Sequence, residues 1–155
     1  MVENQPGVLF KVSNMFRRRG FNIESISVGP VVERDLARMT VTVKANSRIL
    51  NQIVEQLDKM VDVVKVKRLE PRRTVMREMA LVKLNTSDPL AREEALRQVN
   101  SYHGLILDIE PESLIAEVTG EPEVIDEFIE TVHPIGIEEL SRTGVTALEK
   151  GWLKL

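Results

Sequence analysis

The same order of hydrophobic periodicities occurs twice in this chain, once on each side of the pattern-breaking run Glu70-Pro71-Arg72-Arg73. No other feature limits the possible folds as much. In the first half, Val8, Leu9, Val12, Met15 and Phe16 lie on one face of a helix between Gly7 and Arg19. Pro6 suits its first turn and Gly20 its end. Phe21 to Gly29 reads as a strand, and Pro30 with Glu33-Arg34-Asp35 as a hairpin connection. Leu36 to Lys44 alternates cleanly, with Met39, Val41 and Val43 on one side and Thr40, Thr42 and Lys44 on the other. Ser47 is the predicted N-cap of a second helix whose stripe is Ile49, Leu50, Ile53, Val54, Leu57 and Met60. Val61 to Leu69 returns to strand chemistry.

The second half repeats this order. Val75 to Leu84 reads as a strand, Asp88-Pro89 opens a helix to about Tyr102, and Gly104 ends it. Leu105 to Glu110 and Leu114 to Thr119 are strands joined by a tight turn at Pro111-Glu112. Pro122 starts a last helix with Val124, Ile125, Phe128 and Ile129 inside, and Ile135 to Arg142 closes as a short strand before a less patterned tail to Leu155.

Strand, helix, strand, strand, helix, strand, twice over, predicts an α+β fold. It is two ferredoxin-like βαββαβ domains, each an antiparallel sheet with helices on one face. The predicted domains are residues 1–70 and 74–155, with a linker at 70–74. A unit of roughly 75 residues is marginal alone, so pairing with the other half or another chain is expected. The first strand belongs in the middle of its sheet, yet only Met1-Val2-Glu3 precede the loop. Either the recorded start falls inside that strand, or the N-terminal sheet is weakened there.

Composition removes several function classes. The 21 basic and 24 acidic residues are interspersed, which gives no nucleic-acid stripe and no basic membrane anchor. Arg17-Arg18-Arg19 and Arg72-Arg73 sit at element boundaries, where cations favour a helix C-terminus or solvate a linker. With no cysteine there is no disulfide, thiolate metal site or cysteine nucleophile. The apolar runs are far short of the ~20 residues of a membrane span, and no signal peptide is recognisable, so a cytoplasmic protein is expected.

No catalytic or metal constellation emerges. His103 and His133 occupy unrelated positions, and pairs such as Glu93-Glu94 and Glu138-Glu139 read as solvated faces. Tyr102 and Trp152 are expected to pack at an interface. The run Glu3-Asn4-Gln5-Pro6-Gly7 is different, because it precedes a helix whose first N–H groups lack intrahelical partners and suit a carboxylate. Gly7 permits close approach, and Asn4 offers both a donor and an acceptor. An ordinary turn capped by Asn4 explains the same residues equally well.

The run Val2 to Leu9, then Arg18-Arg19-Gly20-Phe21-Asn22-Ile23-Glu24-Ser25-Ile26, resembles the regulatory (small) subunits of acetohydroxyacid synthase, also called acetolactate synthase. Arg77-Glu78-Met79-Ala80-Leu81-Val82-Lys83 and Ser141-Arg142-Thr143-Gly144 keep that pattern, and the match covers almost the whole chain. The resemblance implies an N-terminal ACT domain, a C-terminal ferredoxin-like domain and assembly as dimers through the ACT domains. It also implies a non-catalytic chain that binds no cofactor itself. Its partner would be a catalytic subunit using thiamine diphosphate, Mg2+ and FAD, activated by this chain and made subject to feedback inhibition by valine or another branched-chain amino acid. By the same resemblance, Asn4, Gly7 and Asn22 bind the effector, with Val8, Leu9 and Ile23 as apolar neighbours. Asn22 at a strand start and Gly7 at a helix start are expected to abut at one end of the sheet, with a second copy completing the pocket. Two readings compete: a stand-alone ACT-type amino-acid sensor acting on another enzyme or a transcription factor, and a small enzyme on the same fold.

Overall fold

The computed structural model describes residues 1–152, so the last three residues of the expected tail lie outside the described residues. Contacts divide the chain into two compact units: Met1–Val75 with the segment from Gly144 onward, and Met76–Thr143. The expected boundary at 70–74 falls just before the first division, whereas the segment from Gly144, expected in the second domain, belongs by contact to the first unit.

The first unit contains β1 (Val2–Glu3), α1 (Val8–Arg19), β2 (Ser25–Pro30), β3 (Leu36–Thr42) and α2 (Ser47–Asp58). Its antiparallel sheet has the order β1-β3-β2. Gly7 (φ 89) and Gly20 (φ 68) flank α1 in the left-handed region, which a Cβ disfavours. Pro6 therefore precedes the cap and does not enter the first turn. Arg17, Arg18 and Arg19 lie in the last turn, where the helix dipole favours cations. The cap of α2 is Asn46 and not Ser47, because the longer amide reaches back to accept from Ile49 N at 3.0 Å. Buried Val12, Phe16 and Ile53 join the two helices, and the β3 alternation Met39, Val41, Val43 packs beneath them.

The strand predicted at Val61 to Leu69 does not form. One bridge, Val2 to Val63, and hydrogen bonds such as Glu3 N to Asp62 O (2.9 Å) tie that segment to β1. β1 has two residues and offers no longer ladder, so Val61 (93 %) and Val64 (56 %) stay exposed. β1 nonetheless lies between β3 and the Val63 segment, the central place of a first strand in this topology.

The second unit runs β4 (Thr74–Asn85), α3 (Pro89–Ser101), β5 (Leu105–Ile109), β6 (Ser113–Gly120), α4 (Pro122–Val132) and β7 (Ile137–Arg142), with β4 starting just before the division. The sheet order β5-β6-β4-β7, all antiparallel, is ferredoxin-like. Val82, Leu84, Leu114, Val118, Ile125 and Phe128 are fully buried in one core. Val124, expected inside, is at the surface instead, because it lies one position before the buried stripe. Tyr102 packs edge-on against Phe128 with ring centres 5.3 Å apart, and its hydroxyl lies 3.2 Å from that of Thr131. It serves this core and not the interface expected for it. Trp152 is exposed.

His103 (φ 55), and not Gly104, takes the left-handed turn after α3. Gly104 is needed for space: a Cβ there would stand 2.8 Å from Val118 Cγ2 and 2.9 Å from the Glu117 carbonyl oxygen. Gly104→Ala is therefore expected to cost about 1–3 kcal/mol by overpacking, read in thermal unfolding. An unchanged melting temperature would contradict that crowding.

Two of the runs that carry the family resemblance meet here, since Ala80 pairs with Arg142 across β4 and β7. Arg142 donates to the buried Glu78 carboxylate (Nε to Oε2, 2.6 Å) and to Asp126 at 2.5 Å. Burial works against its charge, but the hydrogen bonds to Asp126 and Glu78 outweigh this and raise its pKa above the ordinary value. The strand β8 (Thr146–Glu149) falls in the tail where the sequence shows little pattern. Its flanking Val145 and its Ala147 are buried, too small a pair to give a periodic signal.

Candidate functional site

The loop from Asn4 to Gly7 is tied to the fold at its first residue. Asn4 N donates to Asp35 O at 2.8 Å, and Lys11 of α1 pairs at 2.8 Å with the shielded carboxylate of Asp62. Lys11 and Asp62 gave no signal in the sequence, because their pairing joins segments far apart along the chain. The loop's own atoms stay open: Asn4, Gln5, Pro6 and Gly7 are exposed, and none of the described residues stands within 4 Å of a Cβ built on Gly7.

The start of α1 lacks the device that closes two other helices. Asn46 caps α2 and Asp88 caps α3 with a side-chain oxygen, but no side chain among the described residues caps α1, and its first turn contains no acidic residue. Val8 N reaches Gln5 O at 3.4 Å and Lys11 N reaches Gly7 O at 2.9 Å. Between them, the N–H groups of Leu9 and Phe10 have no acceptor among the described residues. This is a donor pair at the positive end of a helix dipole, beside a residue without a side chain.

The apolar neighbours divide. Val8 is buried with Val2 and Ala37, so it supports the loop from within the core and is not a wall of an open pocket. Leu9 is 46 % and Phe10 71 % exposed. Ile23 is half-buried against the core of Val12, Phe16 and Ile53. Asn22 is exposed, and its amide donates to Glu24 at 2.8 Å. No donor reaches the side-chain oxygen of Asn22 or Asn4 among the described residues.

One expectation fails within a single copy. Asn4–Gly7 and Asn22–Ile23 do not abut; they lie at opposite ends of α1. A helix of 12 residues is roughly 18 Å long at ~1.5 Å per residue. The reason is topological: β1 enters the helix at one end of the sheet and the chain returns to β2 at the other.

Elsewhere the described residues hold no group of three or more His, Asp or Glu placed to bind a metal ion, and no helix long and apolar enough to cross a membrane. A cleft of about 560 Å³ opens at the start of α3, walled by Thr86, Ser87, Pro89, Arg92, Ile109 and the turn at Pro111. Arg92 there donates to the carbonyls of Glu110 and Pro111. The cleft contains no histidine or lysine to activate its hydroxyls.

Residues 1–65 match the family model for the AHAS small subunit-like ACT domain, and residues 77–151 match the model for the small subunit of acetolactate synthase. The chain is 46 % identical to a probable acetolactate synthase small subunit of Methanothermobacter thermautotrophicus, over 97 % of this chain and 90 % of the relative. It is 38 % identical to the acetolactate synthase small subunit of Mycolicibacterium smegmatis, over 97 % of this chain and 88 % of that one. The crystal structure of the small subunit from Thermotoga maritima superposes with a TM-score of 0.90 at 38 % identity, covering 98 % of this chain and 94 % of the other. The chain thus belongs to the acetolactate synthase small-subunit family, regulatory and non-catalytic subunits, with an ACT domain at its N-terminus.

Proposed function

We propose that this chain binds the catalytic large subunit of acetolactate synthase in the cytoplasm, raises its activity, and makes it subject to feedback inhibition by valine or a related branched-chain amino acid. The observation that carries the reading is the uncapped start of α1 at Gly7, in a chain of this family. An amino acid's carboxylate accepts from the Leu9 and Phe10 N–H groups, where the helix dipole favours an anion. Its ammonium donates to an asparagine side-chain oxygen, and Leu9 and Ile23 flank a branched side chain.

A second copy completes this pocket. A two-fold axis across the middle of α1 sets the two helices antiparallel, so the Asn4–Gly7 loop of one copy meets the Asn22–Ile23 segment of its partner. Exposed Leu9 and Phe10 favour such burial. The effector then stabilises one pairing of ACT domains over another, since equal affinity for two states shifts nothing. Thiamine diphosphate, Mg2+ and FAD belong to the catalytic partner in this account.

Calorimetry with valine, leucine and isoleucine tests the reading. Asn22→Ala removes the proposed ammonium acceptor and is expected to weaken valine binding by about 10- to 100-fold, the ~1.5–3 kcal/mol of a hydrogen bond to a charged group. Unchanged affinity in that variant removes Asn22 from the site, and no heat with any of the three amino acids refutes the effector reading.

A further inference from the structure

We propose that Gly144 is a positioning residue for the effector site: its missing Cβ lets the chain lie against the backbone of Ile26, and that contact fixes β2 just behind Asn22 and Ile23. This inference rests on the effector reading above and adds a residue far from the loop that carries it.

The contact is tight and unyielding. A Cβ on Gly144 would stand 2.7 Å from the Ile26 carbonyl oxygen, 2.8 Å from its carbonyl carbon and 3.2 Å from its nitrogen. All three atoms are backbone, so no side-chain rotation relieves the overlap. Two polar ties flank it. Val145 N donates to Ser25 Oγ at 3.3 Å, and the hydroxyls of Ser27 and Thr146 are 3.4 Å apart.

Register shows which face is involved. Ile26 pairs with Val41 and Val28 with Met39, and those partners pack toward the helices. Ser25 and Ser27 therefore point to the helix-free face, where the segment from Gly144 lies. Buried Val145 and Ala147 anchor it, and farther along Glu149 pairs with Lys67 and Lys150 N donates to Arg73 O at 2.7 Å.

β2 is the outer strand of the order β1-β3-β2, so among the described residues β3 alone holds it within the sheet. The strap supplies the second restraint. Its contact at Ile26 reaches the site along a short backbone path, because Glu24 N is bonded to Thr42 O at 3.0 Å and Ile23 is packed on the core. A side chain at 144 lifts the strap or displaces Ile26. Either outcome moves the segment that presents Asn22.

The test uses the full-length chain. Gly144→Ala is expected to weaken valine binding by about tenfold, within the usual range of coupling between sites. Val132→Ala opens a cavity in the core of the second unit and leaves the contact of Gly144 with Ile26 in place, so it is expected to lower the melting temperature with valine affinity unchanged. Equal loss of affinity in both variants reads as general destabilisation and overturns the proposal, as does wild-type affinity in Gly144→Ala. Should Gly144→Ala fail to fold, hydrogen exchange on the wild type decides. Added valine is expected to slow exchange across residues 144–149, because coupling is reciprocal, and no change there overturns the proposal. A wild-type chain that binds none of the three branched-chain amino acids refutes the effector reading itself, a separate failure.

Discussion

Replacing Gly7 with Asp is expected to abolish the valine response: the ratio of catalytic rates with and without saturating valine goes to one. The space is available, since none of the described residues lies within 4 Å of a Cβ at this position. The backbone is less forgiving, because φ is 89, and a left-handed residue with a side chain costs roughly 1–2 kcal/mol. Asp tolerates that region better than most residues and is among the best N-caps. Its carboxylate reaches the Leu9 and Phe10 N–H groups, satisfying the donors proposed for the effector. It also repels the effector's own carboxylate. Losing both charge-assisted hydrogen bonds at ~1.5–3 kcal/mol each predicts an affinity loss of about 100-fold or more. Gly7→Ala introduces the backbone strain without the charge and is expected to have a smaller effect. Retained valine sensitivity in Gly7→Asp, with the helix intact by circular dichroism, removes the pocket from the start of α1.

Phe128→Ala is expected to destabilise the second unit by about 3–5 kcal/mol, the range for deleting a buried aromatic ring. Phe128 is fully buried between α4 and the sheet, and its ring meets that of Tyr102 at 5.3 Å. The edge-to-face pair contributes ~0.5–1.5 kcal/mol beyond burial. Small domains have only ~5–15 kcal/mol in total, so this one change removes a large share. Urea or thermal unfolding followed by circular dichroism reads the loss. A destabilisation below ~1 kcal/mol contradicts the placement of Phe128 at the centre of this core.

Much of this fold is legible in the sequence where local pattern and tertiary environment agree. The alternation of Met39, Val41 and Val43 predicts β3 and its buried face, and the spacing of Val12 and Phe16 predicts the face of α1. Legibility ends where a partner decides. Val61 to Leu69 has strand composition, yet a strand needs a neighbour of matching length, and β1 offers two residues. Val145 and Ala147 form a buried strand edge with almost no periodic signal, because the surface they cover is supplied by residues distant in sequence.

The candidate site divides along the same line. Gly7 beside a helix start follows from local chemistry, but local chemistry leaves open a cap by Asn4, which does not form. The adjacent pair Val8-Leu9 sits at the edge of the apolar face, and periodicity alone cannot say that Val8 turns inward and Leu9 outward. The separation of Gly7 from Asn22 follows from strand-helix-strand topology, which puts the two ends of α1 at opposite ends of the sheet. Gly144 has neither a left-handed backbone nor a local turn to betray its role; only the approach to Ile26 makes its lack of a side chain meaningful.

The most direct test of the regulatory role is to add the purified chain to the catalytic subunit of its own acetolactate synthase and measure acetolactate formation with and without valine. The expected result is a higher rate on addition of the chain, and suppression of that rate by valine only when the chain is present. A rate and a valine sensitivity that both stay unchanged on addition would contradict it.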